Sequence, residues 1–116
     1  MIRRQKDQKS ETKENMRGGD GSITLIELLT PDEMYGKGRL FSKVIIKPGC
    51  SAGFHPHEGE MEAYYIIKGV GEYDDNGEKV TVYAGDLTYT PDGEGHGIRN
   101  IDKNEDLEIL ALILYR

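Results

Sequence analysis

Residues 49–69 read GCSAGFHPHEGEMEAYYIIKG and place two of the chain's three histidines, His55 and His57, one residue apart, with Glu62 in the apolar run that follows. On an extended strand residues two apart face the same way, so the two imidazoles project together while Pro56 points out. Proline cannot donate to a ladder, which puts it at a strand end, a bulge or an edge. The EGEM turn then reverses the chain and Glu62 opens the next strand, so that one hairpin carries three donors facing one another. The third histidine, His96, sits in the glycine-rich corner PDGEGHGIRN. Three imidazoles and a carboxylate form a mixed nitrogen and oxygen set suited to one divalent ion of Mn, Fe, Ni, Co or Zn, with two positions left open if the ion prefers octahedral geometry. A closed, four-coordinate zinc is the structural alternative. For each residue taken alone, a hydrogen-bonded surface histidine or an ordinary acidic loop is the plainer reading.

The elements that must position these groups are short. SITLIELL, RLFSKVIIK, AYYIIKG, GVGEYDDNGEKVTVY, DLTYT and LEILALILY are rich in Val, Ile, Thr and Tyr and are punctuated by Gly, Pro and Asp. That is a strand signature, and regular short strands without helical alternation mean a β-sandwich or barrel. Asp75-Asn76-Gly77 predicts a tight hairpin turn, because Asn and Gly accept positive φ. Only residues 30–34, TPDEM, resemble a helical turn, with Thr30 as cap and Pro31 in the first helical position.

At 116 residues the chain is expected to be one domain with a modest core. It has no apolar run of membrane-spanning length and a charged start, so a cytoplasmic protein without a membrane partner is expected. With one cysteine, Cys50, no intrachain disulfide is possible, and a small half-buried role suits it better than a nucleophilic one. Residues 1–17 carry six Lys or Arg against three Asp or Glu, a net of +3, which leaves −9 on the rest of a chain whose total is −6. An acidic body argues against nucleic acid as partner. Within residues 1–17, RRQKDQKSETKEN is almost free of apolar side chains and alone would be a solvated tail, so a second subunit is the surface expected to hold the segment.

The spacing of ten residues adds a family reading. Gly49, His55, His57, Glu62 and Gly69, followed by Gly85, Pro91, Gly93, His96 and Asn100, occur at the separations of the two cupin motifs, and the chain resembles a small single-domain cupin. The resemblance implies an all-β, double-stranded β-helix (jelly-roll) barrel over residues 18–116. It further implies a metal inside, ligated by His55, His57, Glu62 and His96, and commonly a homodimer. Asn100 is read as a backbone-bonding turn residue rather than a ligand.

Strand parity then names the neighbours of the metal. Tyr64 and Ile66 lie two and four residues after Glu62, and Ile98 two after His96, so these three are the expected substrate-binding residues. Tyr64 either orients a substrate oxygen or is an aromatic wall of the core. In RLFSKVIIK either the Ser42 or the Lys43 set faces inward, and an inward Lys43 would favour an anionic ligand. Two functions follow. One is an enzyme acting on a small oxygenated metabolite held through two oxygens at the metal, of decarboxylase, dioxygenase or isomerase type. The other is a binding module for a sugar or small organic acid, without turnover.

Overall fold

The alternating apolar runs become strands in the computed structural model, which describes residues 1–116. There are ten: β1 (Ser10–Glu14), β2 (Ser22–Leu29), β3 (Gly38–Ile46), β4 (Ser51–Pro56), β5 (Glu60–Lys68), β6 (Val70–Asp75), β7 (Glu78–Tyr83), β8 (Leu87–Thr90), β9 (Gly95–Asn100) and β10 (Leu107–Tyr115). They form a six-stranded sheet, β1-β2-β3-β10-β5-β8, and a four-stranded sheet, β4-β9-β6-β7. Every strand pair is antiparallel, and the two sheets make the all-β double-stranded β-helix. No helix is long and apolar enough to cross a membrane.

Period-two burial fills the space between the sheets. Leu107, Ile109, Ala111 and Ile113 of β10 alternate inward and meet Ile23, Ile46, Ile66 and Ile98 from four other strands, all nearly inaccessible. Each such aliphatic side chain contributes about 1.5–3 kcal/mol on burial, which is why the central strand carries so little polarity on that face. In β3 the Ser42, Val44, Ile46 set faces in, and Lys43 faces out to pair with Glu108 at 2.6 Å. The inward lysine is therefore not realised. The DNG turn joins β6 to β7 with φ of 53° at Asn76 and 104° at Gly77, as a primed two-residue hairpin requires.

At residues 30–34 the cap is present but the helix is not. Glu33 N–H donates to Thr30 Oγ1 and Thr30 N–H to Glu33 Oε1, at 3.1 and 2.9 Å, a reciprocal capping pair. Positive φ at Tyr35 and Gly36 turns the chain away after one turn.

The charged N-terminal segment is held by its own chain. β1 pairs with β2 over Ser10–Glu14, and Arg3 bonds Leu28 O and the Glu33 carboxylate. Further on, Met16 packs against the core, and residues 17–19 lie backbone-to-backbone on β4. That approach needs glycine on both sides: a side chain at Gly19 would strike the Ser51 carbonyl, and one at Gly53 the Arg17 carbonyl. All five β1 residues stay exposed.

Two irregularities shape the site. β4 and β5 do not pair as a hairpin; they lie in opposite sheets, so the 57–59 turn is a crossover and β5 begins at Glu60 rather than at Glu62. Donors on β4 and β5 consequently face each other across the barrel. In β3, Leu40 pairs with Ile113 and Gly38 with Leu114, which leaves Arg39 as an extra residue opposite one step of β10. Such a bulge re-aims a side chain, and Arg39 turns inward against the alternation of its strand.

Candidate metal centre

His55 and His96 are direct cross-strand partners on β4 and β9, which fixes their rings side by side. His57 lies just past the end of β4 and is tied to the glycine-rich corner by two backbone bonds, its N–H to Glu94 O and its carbonyl from Gly93 N–H. Glu62 comes from β5 in the other sheet. The four side chains are buried, and their ligand atoms lie within 4.8 Å of one another.

Each imidazole is oriented through Nδ1. His55 Nδ1 donates to Gly53 O at 2.8 Å, and His57 Nδ1 to Glu60 Oε1 at 2.9 Å. Both acceptors lack protons, so in the neutral rings Nε2 presents a lone pair. His96 Nδ1 is held by the hydroxyls of Tyr73 at 2.7 Å and Thr90 at 3.0 Å. The Nε2 atoms then meet at Glu62 Oε1, 2.8 Å from His96, 2.9 Å from His57 and 3.9 Å from His55. Lone pairs and a carboxylate oxygen aimed at one buried point repel unless a cation or protons lie between them, so the cluster is able to hold a metal ion.

The spacing bears on geometry as well. Bonds of about 2.1 Å place octahedral donors about 3.0 Å apart when adjacent and about 4.2 Å when opposite, whereas a tetrahedron has every edge near 3.4 Å. His57 and His96 Nε2 are 3.0 Å apart, and with the three distances to Glu62 they form a short and long mixture rather than a uniform set.

Electrostatics within the metal-free cluster follow from the partners. Glu62 is pushed upward by burial, yet the three imidazoles gathered around it outweigh that and hold the carboxyl well below its usual range. His57 is raised by its bond to Glu62 and, further, by Glu60 on its other side. His96 is lowered, chiefly by burial. His57, between two carboxylates, is thus the imidazole whose protonated form gains most from its neighbours. Glu60 itself is lowered to about 2, mainly by the Arg39 guanidinium.

Beside the donors lies a cavity of about 50 Å³, and twelve of its seventeen lining residues are apolar, so a bound molecule meets mostly hydrocarbon outside the donors, the Tyr64 side chain and two arginines, Arg17 and Arg39. Of the expected substrate-binding residues, Tyr64 and Ile98 line it. Tyr64 stacks on His96 with ring centres 4.9 Å apart, and burial raises its hydroxyl well above the ordinary range, so it stays protonated. Ile66 does not line it: its position deeper on β5 makes it fully buried packing within the core. Asn100 bonds Ile46 O and Glu105 O and accepts from Asp102 N–H, as a turn residue should. Arg17, Arg39, Glu60 and Tyr73 carry no spacing signal. They depend on a docked N-terminal segment, a bulge and a cross-barrel contact, none of which periodicity encodes.

A buried three-histidine, one-glutamate cluster able to hold a metal ion, inside a double-stranded β-helix, defines the class as a jelly-roll protein with a candidate metal centre. Residues 42–113 match the model of the cupin domain, and the chain belongs to the cupin family. It is 45% identical over 114 residues to the oxalate-binding protein of Thermotoga maritima, covering 98% of this chain and 93% of that one. It is 37% identical over 92 residues to an uncharacterised protein of Methanocaldococcus jannaschii, covering 79% and 72%. Among solved structures, the crystal structure of a predicted oxalate decarboxylase from Thermotoga maritima superposes with a TM-score of 0.95 at 44% identity over 100% of both chains.

Proposed function

We propose that the protein holds one divalent transition-metal ion on His55, His57, Glu62 and His96 and binds a small dicarboxylate of the oxalate class beside it. The convergence of Nε2 lone pairs on Glu62 Oε1 carries the reading. A bound ion supplies Lewis acidity and open adjacent positions to which two carboxylate oxygens can chelate. The cavity is small, its walls are mostly hydrocarbon, and its charged lining outside the donors is two guanidiniums, features that favour a short anion over a sugar. The name of the Thermotoga relative points the same way. Titration calorimetry should show oxalate binding once per chain to protein loaded with Mn or Co and no binding to chelator-treated protein, with succinate, two methylenes longer, bound at least tenfold more weakly. Equal binding with and without metal contradicts the proposal.

Turnover is the second reading, and Tyr64 is the observation that favours it. A protonated hydroxyl on the cavity wall can deliver the proton that a decarboxylation needs at the carbon left behind. No other lining residue outside the four donors offers a proton at neutral pH except the arginines. Release of carbon dioxide and formate from oxalate by the loaded protein, lost in Tyr64→Phe, separates an enzyme from a binding module.

The assembly proposed with this function is a homodimer. The outer face of the six-stranded sheet is apolar across four strands, with Phe41, Leu112, Ala63 and Tyr89 in one cross-strand row and Leu110, Tyr65 and Leu87 in the next. Six strands of four to nine residues make a face of roughly 700 Å², close to the area each partner contributes to a standard interface. Lys43 and Glu108 neutralise each other on it, so two copies of an acidic chain can meet there without like-charge repulsion. Sedimentation should give twice the chain mass, and Leu112→Lys should give monomer with metal binding retained. A wild-type monomer at micromolar concentration contradicts this.

A further inference from the structure

The bulge in β3 has a chemical result. Arg39 should face solvent by alternation, but the extra residue turns it in, where Nε and Nη2 grip the two Glu60 oxygens at 2.7 and 2.8 Å. Glu60 is buried and its Oε1 also accepts the Nδ1 proton of His57. His57 is thus the only imidazole of the three backed by a carboxylate. His55 has a backbone carbonyl in that place and His96 two neutral hydroxyls. The chain of contacts runs from the cavity wall through Arg39, Glu60 and His57 to the point where the donors meet.

The geometry points to Arg39 and Glu60 as a positioning pair for His57, an inference that rests on the metal reading above. Glu60 fixes the tautomer that leaves Nε2 free, and sets the ring angle. It also makes the ring a stronger donor, because a hydrogen bond from Nδ1 to an anion increases electron density at Nε2. Arg39 acts on Glu60 alone. Its bidentate fork stops the carboxylate from rotating away, so the Nδ1 proton of His57 keeps its acceptor. The bulge is what brings the guanidinium to this work, at the cost of one ladder position. Arg39 also lines the cavity, so the same side chain that braces Glu60 borders the space beside the donors.

Metal affinity measured by competition with a chromogenic chelator tests the pair, with circular dichroism confirming that each variant is folded. Glu60→Gln and Arg39→Met should each bind zinc about 10–100-fold more weakly. Arg39→Lys should fall between, since an ammonium cannot make the fork. Because Arg39 acts through Glu60, the double variant should be no worse than the weaker-binding single, whereas independent contributions would multiply. A structural role alone would not move the second readout, exchange of the His57 Nδ1 proton in the NMR spectrum of zinc-loaded protein. That proton should be slow to exchange in the wild type and lost to solvent exchange in both variants, while those of His55 and His96 persist. Lys47→Ala, which removes a surface cation paired with Asp106, should change neither readout. If the wild type binds zinc and the folded variants bind it equally well, or if the two losses multiply, the pair has no positioning role and the metal site stands without it. If the wild type binds no zinc, both fall.

Discussion

Glu62→Gln is expected to weaken metal binding by about three orders of magnitude while leaving the fold intact. Glu62 supplies the only negative charge among the four donors, and its Oε1 is the point on which the imidazoles converge. A unit-charge pair at an effective dielectric of 20 is worth about 4 kcal/mol at 4 Å, which is a factor of about 10³ in affinity. The amide oxygen of Gln still accepts from His96 and His57, so the metal-free protein keeps its hydrogen bonds and its melting temperature should change little. In the wild type the affinity should fall as pH drops, because an imidazole must be neutral to bind. His57 is raised above the usual histidine value by its two carboxylates, so its proton competes with the metal already above pH 6.5. Chelator competition between pH 5 and 8 reads both effects. Unchanged affinity in Glu62→Gln, or affinity that rises as pH falls, would contradict the site.

Ile109→Ala should cost about 3–4 kcal/mol, a large share of the 5–15 kcal/mol that folds a domain of this kind. Ile109 is completely buried at the centre of β10, between β3 and β5, and it also lines the cavity. Removing three carbons there loses their transfer energy and opens a void that two hydrogen-bonded strands cannot close. Urea denaturation should show a lower midpoint with an unchanged slope, which places the loss in the native state. Its outward neighbour Leu110 lies on the proposed dimer face, and Leu110→Ala should cost less than half as much in a monomeric background. A loss below 1 kcal/mol at Ile109 would mean that the barrel core is not packed as described.

The site was largely legible because its spacing survives translation into structure. His55 and His96 sit on paired strands, and Glu62, Tyr64 and Ile98 obey parity, so period two places them inside without any knowledge of the sheets. What misled was connectivity. An apparent hairpin at 57–61 crosses between sheets, because the turn is tied by His57 and Gly93–Glu94 to the β8–β9 corner rather than by a ladder between β4 and β5. β1 was invisible for a different reason: SETKE buries no side chain and exists only through backbone bonds to β2, which composition does not register. Arg39 defeats parity outright. A single extra residue reverses its direction, so the inward cation proves to be an arginine four positions before the lysine at which alternation raised the question. Gly95 and Gly97 give room to β4, since side chains there would meet the Phe54 ring and backbone. Residues 16 and 17 reach the cavity only because the N-terminal segment folds back over β4, a long-range contact that no local pattern announces.

Anomalous diffraction from crystals of the protein purified with Mn or Co, recorded on both sides of the metal's absorption edge, tests the central claim most directly. The account predicts one strong peak per chain, about 2.0–2.3 Å from Nε2 of His55, His57 and His96 and from a Glu62 carboxylate oxygen. A peak held instead by the outer polar cleft around Asp20, Glu72 and Asp74, or no peak among the four side chains in protein that retains stoichiometric metal in solution, would contradict it.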